Sequence, residues 1–183
     1  MQTFVIKNKT DCLNAIRKIK QYREKQLPSK IATFESKLAD YGIQIAKGYS
    51  TGHFGKFIVF SKKLVDKNNR TVTTLMIARD SQKIISEWYI DKEGNTKQAE
   101  VSPVLMEEFG SGLKAENPLG IIGVGQGTFP EQTHAFDTQG WWYKSTEDDT
   151  WHHSYGYSPN QPMYHALMDM QTVVTQIASE VFK

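Results

Sequence analysis

The stretch FGKFIVFSKKLVDKNNRTVTTLMIARD, residues 54–80, decides the fold class of this chain. Residues with β-branched and aromatic side chains are frequent on both sides of the polar segment DKNNR, a composition typical of two strands joined by a turn. Similar stretches follow after the short polar segments DSQK and KEGN. The pattern predicts an antiparallel meander of about four strands over residues 54–101, with strands at Phe54–Val65, Thr71–Arg79, Ile84–Asp91 and Thr96–Val101.

A helical pattern precedes the meander, over residues 10–48. Apolar residues recur every three or four positions, at Cys12, Leu13, Ile16 and Ile19 and again at Ile31, Phe34, Leu38, Tyr41 and Ile45. Pro28 lies between the two series, where a proline is expected to end one helix and begin the next. We therefore expect two N-terminal helices, arranged as an αα-hairpin or as two packed segments.

Four further elements follow the meander. Pro103–Phe109 has the pattern of a short helix that ends at Gly110. Residues 110–140 hold seven of the thirteen glycines and predict an extended loop, mobile or held away from the core. Residues 141–157 predict an aromatic hairpin, in which GWWYK and WHHSYGY flank the acidic turn STEDDT. Residues 162–182 predict a C-terminal helix with an apolar side formed by Met163, Ala166 or Leu167, Met170, Val173 or Val174, Ile177 and Val181.

Together these elements predict a single α+β domain over residues 1–183. We expect an antiparallel sheet of about five strands. The N-terminal helices and the C-terminal helix should pack on it, mainly on one side, and the long Gly-rich loop should stand apart.

Charge is distributed unevenly along the chain, although the formal net charge of +2 argues against a dedicated nucleic-acid binder. Residues 1–30 carry eight Lys or Arg against two acidic residues, whereas residues 131–180 carry seven Asp or Glu against Lys144. The two ends could attract each other head-to-tail in a ring, or they could be unrelated solvated surfaces. One cysteine excludes an internal disulfide, and neither a secretory signal nor a membrane span is expected.

No pattern in the sequence indicates a catalytic, cofactor or metal site. The segment GVGQG, residues 123–127, lacks the Lys-Ser/Thr of a phosphate-binding loop. His152 and His153 are neighbours on a predicted strand and therefore point to opposite faces. Glu107 and Glu108 are neighbours on a helix, so we expect them to end a polar face and not to form a catalytic pair. The sequence thus predicts a protein that is not an enzyme and needs no cofactor.

The aromatic hairpin holds three of the four tryptophans. Trp141 and Trp142 cannot both enter one core, because successive strand residues point to opposite faces. One of them should lie against a partner or be covered within the subunit, and the sequence leaves both readings open. The expected assembly contacts are Phe109, Gly110, Phe129, Trp141, Trp142, Glu147, Asp148 and Asp149.

Three segments together resemble the tail-completion and head–tail joining family of long-tailed bacteriophages, whose members are also labelled neck or minor capsid proteins. Thr51 and Gly52 stand where that family has a Thr-Gly turn between amphipathic helices and a β-meander. MEEFGSG resembles the family's Glu-Phe-Gly-Thr-Gly segment, with Ser111 where Thr is usual. NQPMYHAL resembles the family's Gln-Pro-Phe entry to a C-terminal helix, with Met163 where Phe is usual. A GWWY hairpin also occurs in members of the family, and the resemblance covers roughly residues 10–182 in order.

The resemblance implies a virion structural protein that forms a homo-oligomeric, six-fold ring at the phage neck or the head-proximal end of the tail. Such a ring would link the connector or stopper to the tail terminator or tail tube, and phage DNA would pass through its lumen without sequence-specific binding. The subunit would be made in the host cytoplasm and would contact no membrane. Two alternative functions remain consistent with the sequence: a tail terminator subunit and, from another class, a small metal- or nucleotide-dependent enzyme.

Overall fold

A computed structural model describes residues 5–67, 71–82, 84–85, 88–91, 93–118, 120, 137–145 and 148–183. The chain divides into two compact units. The first comprises residues 1–42, 62–77 and 169–183, and the second comprises residues 43–61 and 78–168. Helices and antiparallel sheets are both present, which confirms the predicted α+β class.

The N-terminal residues form one helical run and not a hairpin of two helices. Helix α1 spans Lys9–Gln21, a π-helical turn spans Tyr22–Gln26, and helix α2 spans Leu27–Tyr49. The prediction that Pro28 separates two helices is therefore wrong. In the wider turn just before the proline, the N–H of Leu27 donates to the carbonyl of Tyr22, five residues back. A π turn makes room where a proline ring would otherwise clash with the carbonyl four residues earlier.

Helix α1 leaves its apolar side largely uncovered. Asn8 caps its start, because the side chain of Asn8 accepts the N–H of Asp11 at 2.9 Å. Further along, Leu13, Ile16 and Ile19 are 53%, 56% and 54% exposed. We call these three residues the α1 stripe.

Helix α2, one β-hairpin and the end of the C-terminal helix pack together in the first unit. The hairpin consists of β1, Ile58–Lys67, and β2, Thr71–Asp80. A side chain at Gly42 would meet the sulfur atoms of Met76 and Met170, so the helix, β2 and the C-terminal helix approach closely here. Glu35 accepts the N–H of Thr74 at 3.0 Å, and Lys62 donates to Asp40 at 2.6 Å.

The predicted meander is present in part. Beyond the β1–β2 hairpin, β3 (Ile84–Ile85) pairs with β6 (Glu100–Val101), while β4 (Trp88–Ile90) pairs with β5 (Thr96–Lys97). The strand β4 also pairs with β7 (Trp141–Lys144), which pairs with β8 (Trp151–Ser154). The second unit therefore contains a four-stranded antiparallel sheet in the order β5-β4-β7-β8.

Several strand boundaries were wrong. Ile84–Asp91 and Thr96–Val101 were each predicted as one strand, whereas the structure has β3 and β4 in the first stretch and β5 and β6 in the second. Residues 54–57, predicted as the start of the first strand, include instead a short 3-10 turn at Gly55–Phe57. A residue with a side chain at position 55 would collide with the backbone of Ser50, so the chain turns tightly here before β1 begins.

Helix α3 has the predicted bounds, and helix α4 begins where predicted and ends one residue earlier. Helix α3 spans Pro103–Phe109 and ends at Gly110, and helix α4 spans Pro162–Val181. Of the alternatives given for the apolar side of α4, Ala166 is fully buried, whereas Leu167 is 40% exposed. Ile177 is buried as predicted.

Candidate interaction surfaces and the cluster that holds them

A buried carboxylate organises the second unit. Glu107, on α3, has no exposed surface. Its carboxylate accepts the hydroxyl of Tyr157 at 2.6 Å, the side-chain amide of Asn160 at 2.8 Å and the backbone N–H of Phe54 at 3.1 Å. Its main-chain carbonyl accepts the N–H groups of Asn160 and Gln161, both at 2.9 Å. Buried carboxylates are tolerated when their oxygen atoms are fully hydrogen-bonded, as they are here.

Gly52 is required beside this carboxylate. A Cβ atom at this position would collide with the hydroxyl of Tyr157, a carboxylate oxygen of Glu107 and the side-chain amide of Asn160. Burial, followed by the hydrogen bond to Glu107, raises the pKa of the Tyr157 phenol well above its usual range. Tyr157 therefore remains a hydrogen-bond donor at neutral pH.

The neighbouring carboxylate caps the C-terminal helix. Glu108 accepts the backbone N–H groups of Met163 and Tyr164, at 2.8 and 2.9 Å, in the first turn of α4. Burial raises the pKa of Glu108, while these two hydrogen bonds lower it less strongly. The expectation that Glu107 and Glu108 end a polar face is wrong, since both carboxylates bind groups inside the unit.

The segment after α3 is also packed and does not leave the core at once. Ser111 donates its N–H to the carbonyl of Tyr157, and Leu113 donates its N–H to the carbonyl of Tyr155, both at 2.9 Å. A side chain at Gly156 would collide with the carbonyl of Ser111. The expectation of an extended loop is therefore wrong for residues 111–115, while the rest of residues 110–140 lies mostly outside the described residues.

The hairpin held by this pairing exposes an aromatic sheet face. In the β-ladder, Lys144 pairs with Trp88 on one side and Trp151 on the other, and Trp142 pairs with His153. Side chains at paired and alternate positions share a face. The exposed fractions are 46% for Trp88, 50% for Trp142, 42% for Trp151 and 53% for Tyr155. We call these four residues the aromatic face.

Ring contacts hold the aromatic face in shape. The His153 ring lies edge-on to Trp142 at 5.0 Å and edge-on to Tyr155 at 4.8 Å, measured between ring centroids. These geometries are the favourable ones for aromatic pairs. Trp142, His153 and Tyr155 therefore form a continuous group of rings on this side of the sheet.

The other face of the sheet turns inward. Trp141 is half-buried, and a side chain at Gly112 would collide with its ring. Tyr143 and His152 stack across the strands with ring centroids 5.7 Å apart. Trp141 and Trp142 thus lie on opposite faces, as the alternation of strand residues predicted.

Acidic side chains stand at the end of the hairpin. Asp148 accepts the backbone N–H of Thr150 at 3.1 Å and contacts the His152 ring at 2.9 Å. The Thr150 contacts, followed by His152, lower the pKa of Asp148 to about 2. The side chain of Asp149 is 86% exposed and forms an ion pair with Lys144. The turn therefore presents negative charge beside the aromatic face.

Some of the predicted assembly contacts are exposed on the aromatic hairpin, and others are covered inside the second unit. Trp142, Asp148 and Asp149 are exposed, whereas Phe109 and Trp141 are half-buried and Gly110 is buried inside the second unit. Phe129 and Glu147 lie outside the described residues. Trp88 was not predicted as part of the surface, because nothing local to Trp88 shows that its strand pairs with β7. The role of Glu107 was not predicted either, because its donors come from distant segments.

Among the described residues, the histidines and other possible metal ligands do not form one cluster. His152 lies at Asp148, His153 lies between two aromatic rings, and His165 stacks on Tyr49 at 4.0 Å. No three His, Cys, Asp or Glu side chains of the described part of the chain are grouped as a metal ion would require. No helix within those residues is long and apolar enough to cross a membrane. The segment GVGQG lies outside the described residues, as does His134, which with His152, His153 and His165 was considered as a possible zinc ligand.

Comparison of the chain with models of protein families, with curated proteins and with solved structures gave no match.

Proposed function

We propose that this chain is a virion structural protein of a long-tailed phage, a tail-completion or head–tail joining subunit that acts by assembling into a ring. The observation that carries the proposal is the cluster around Glu107. The three segments that resemble the family are the turn at Thr51 and Gly52, the MEEFGSG segment and the NQPM segment. All three meet at this cluster. The residues that carry the resemblance are thus residues on which the second unit depends.

The exposed surfaces support an assembly role. The aromatic face and the α1 stripe both leave large apolar side chains in solvent. Exposed aromatic and aliphatic groups of this kind are typical of surfaces that bind other proteins. In the proposed role, the partners are other copies of the chain in a six-fold ring, the connector or stopper on one side, and the tail terminator or tail tube on the other. DNA passes through the lumen without sequence-specific contacts.

Antibody labelling of intact particles tests the proposed location. Gold-labelled antibody against the chain should mark the junction of head and tail in electron micrographs of the phage that encodes it. Label on the capsid shell, on the distal tail, or on no part of the particle would contradict the proposal. Binding of the purified chain to the connector, compared with binding to the tail tube protein, separates a joining subunit from a tail terminator.

The alternative from another class is a small enzyme that uses the glycine-rich loop and the histidines. It predicts zinc or nucleotide bound at one equivalent per chain after purification, measured by native mass spectrometry. The role proposed here predicts that the chain carries neither and gains mass only by association with protein.

A further inference from the structure

Two surfaces of complementary chemistry lie on the same chain. The aromatic face combines three tryptophans and a tyrosine with the carboxylates of Asp148 and Asp149 at the end of the same hairpin. Asp149 is paired with Lys144 of the same face and Asp148 with His152, so the formal charge of this group is −1 with His neutral. Tryptophan rings bind cations and aliphatic groups on their faces, and nearby carboxylates strengthen the attraction for cations. The ligand that suits this face is an apolar surface interspersed with Lys or Arg.

Helix α1 has this composition. Within Lys9–Gln21 it carries four Lys or Arg against Asp11, and the π-helical turn Tyr22–Gln26 adds Arg23 and Lys25 against Glu24. At 100° per residue, Lys9 and Lys20 fall among the three apolar residues of the α1 stripe, and Arg17 lies beside them. All three cations are exposed. The helix therefore offers aliphatic and cationic groups on one side, and each of the three apolar side chains leaves more than half of its surface exposed among the described residues.

We propose that the aromatic face of one copy binds the α1 stripe of a second copy. This inference rests on the proposed function, because it assumes that copies of the chain meet one another. Each copy carries both surfaces, so the contact joins unlike surfaces, and repetition of it closes a ring or extends a filament. The negative charge beside the aromatic face disfavours nucleic acid as its occupant, because phosphate groups would be repelled.

A mixing experiment tests this pairing with the full chain. Ile16→Lys places a charge in the α1 stripe, and Trp142→Lys removes an aromatic anchor and repels the cations of α1. Each variant alone should lose self-association by on the order of 30-fold or more, as expected for an interface anchor. Mixed in equal amounts, the two variants retain one intact pair of surfaces between them and should form a dimer that grows no further. Analytical ultracentrifugation and native mass spectrometry measure both results.

Matched controls keep the test specific. Asn14→Lys makes the same charge change on another side of α1, and Leu167→Lys does so at an exposed apolar residue of α4. Both should assemble as the unmodified chain does. Circular dichroism checks folding, and the milder variants Leu13→Gln and Trp151→Gln replace any lysine variant that does not fold.

Several outcomes would overturn the pairing. A mixture that remains monomeric, variants that assemble normally, or an unmodified chain that stays monomeric would each contradict it. Binding of the unmodified chain to anionic phosphatidylglycerol vesicles, lost in Ile16→Lys while self-association persists, would assign the α1 stripe to a lipid surface instead. The labelling of intact particles is independent of these results. The neck location can therefore stand when the pairing fails, and the pairing can stand when the neck location fails.

Discussion

At the scale of single residues, Glu107 is the position where distant parts of the second unit depend on one side chain. Its carboxylate accepts one hydrogen bond from the start of the unit and two from the end, each from a residue about fifty positions away. A buried donor left without an acceptor costs about 1–3 kcal/mol. The loss of this side chain would leave three such donors.

Substitution at Glu107 tests this dependence. Glu107→Ala should lower the free energy of unfolding by about 3–5 kcal/mol, because three part-buried donors lose a fully buried acceptor. Glu107→Gln should cost less, about 1–2 kcal/mol, because the amide of Asn160 can rotate and accept from the new NH₂ group. Urea denaturation of the monomer measures both values. Glu93→Ala, at an exposed turn residue, is the control and should change stability by less than about 0.5 kcal/mol. Equal losses for Ala and Gln at position 107 would contradict the hydrogen-bond account.

A second residue-scale prediction concerns pH. The carboxylate of Asp91 accepts from Lys97 at 2.6 Å and from the N–H groups of Glu93 and Asn95, and these contacts hold its pKa well below the ordinary value of 3.8. A lowered pKa in the folded state gives stability that is present above pH 3.8 and is lost as the pH falls below it. The chain should therefore be more stable than Asp91→Asn at pH 6. The difference in stability between the two proteins should become smaller as the pH is lowered towards about pH 2. Thermal unfolding across this range measures the difference, and a difference independent of pH would refute the assignment.

The sequence predicts little at this scale. Adjacency on a helix led to the expectation that Glu107 and Glu108 are solvated, because local spacing shows only what lies on the same helix. The donors that bind the two carboxylates belong to Phe54, Tyr157 and the first turn of α4. Pairing of this kind depends on the tertiary fold, which a pattern of three or four residues does not contain.

At the scale of elements, the sequence was most informative where one element carries its own signals. The bounds of α3 and the start of α4 were predicted correctly, because Pro103, Gly110 and Pro162 mark them. The predicted break at Pro28 was wrong, because a π turn before the proline makes room for its ring and the helical run continues. Strands were placed better than their partners, because the pairing of β4 with β7 joins segments far apart in the sequence.

Helix α4 allows a test of which side is packed. Ile177 is 8% exposed, whereas Leu167 is 40% exposed. Ile177→Ala should lower the free energy of unfolding by about 2–4 kcal/mol, because it removes buried methyl groups and leaves a cavity. Leu167→Ala should cost less than about 1 kcal/mol, because its side chain is already partly in solvent. Chemical denaturation compares the two variants, and similar losses would show that the helix is packed on a different side.

At the scale of the whole molecule, the uneven charge of the chain predicts salt-dependent association. If the basic N-terminal part of one copy approaches the acidic turn of another, the association rate should fall as salt rises from about 0.05 M to about 0.5 M. Asp148→Lys/Asp149→Lys should slow association further while the monomer remains folded. The double variant Glu93→Lys/Glu100→Lys makes the same change in net charge at other exposed positions and serves as the control. Light scattering after rapid mixing measures the rates. Equal rates for all three proteins would indicate two unrelated solvated surfaces.

The cluster around Glu107 also determines when the second unit can fold during synthesis. Its hydrogen bonds join residues 50 and 53 positions apart, and the donors Tyr157 and Asn160 leave the ribosome after most of the unit has been made. Closing such long loops costs entropy before any contact compensates for it, so topologies of this kind fold slowly. Until residues 157–161 emerge, Glu107 has no Tyr157 or Asn160 to bind, and α3 has no stable interior to enter. The nascent chain therefore acquires this unit late, and the strands made earlier must stay free of wrong partners until then.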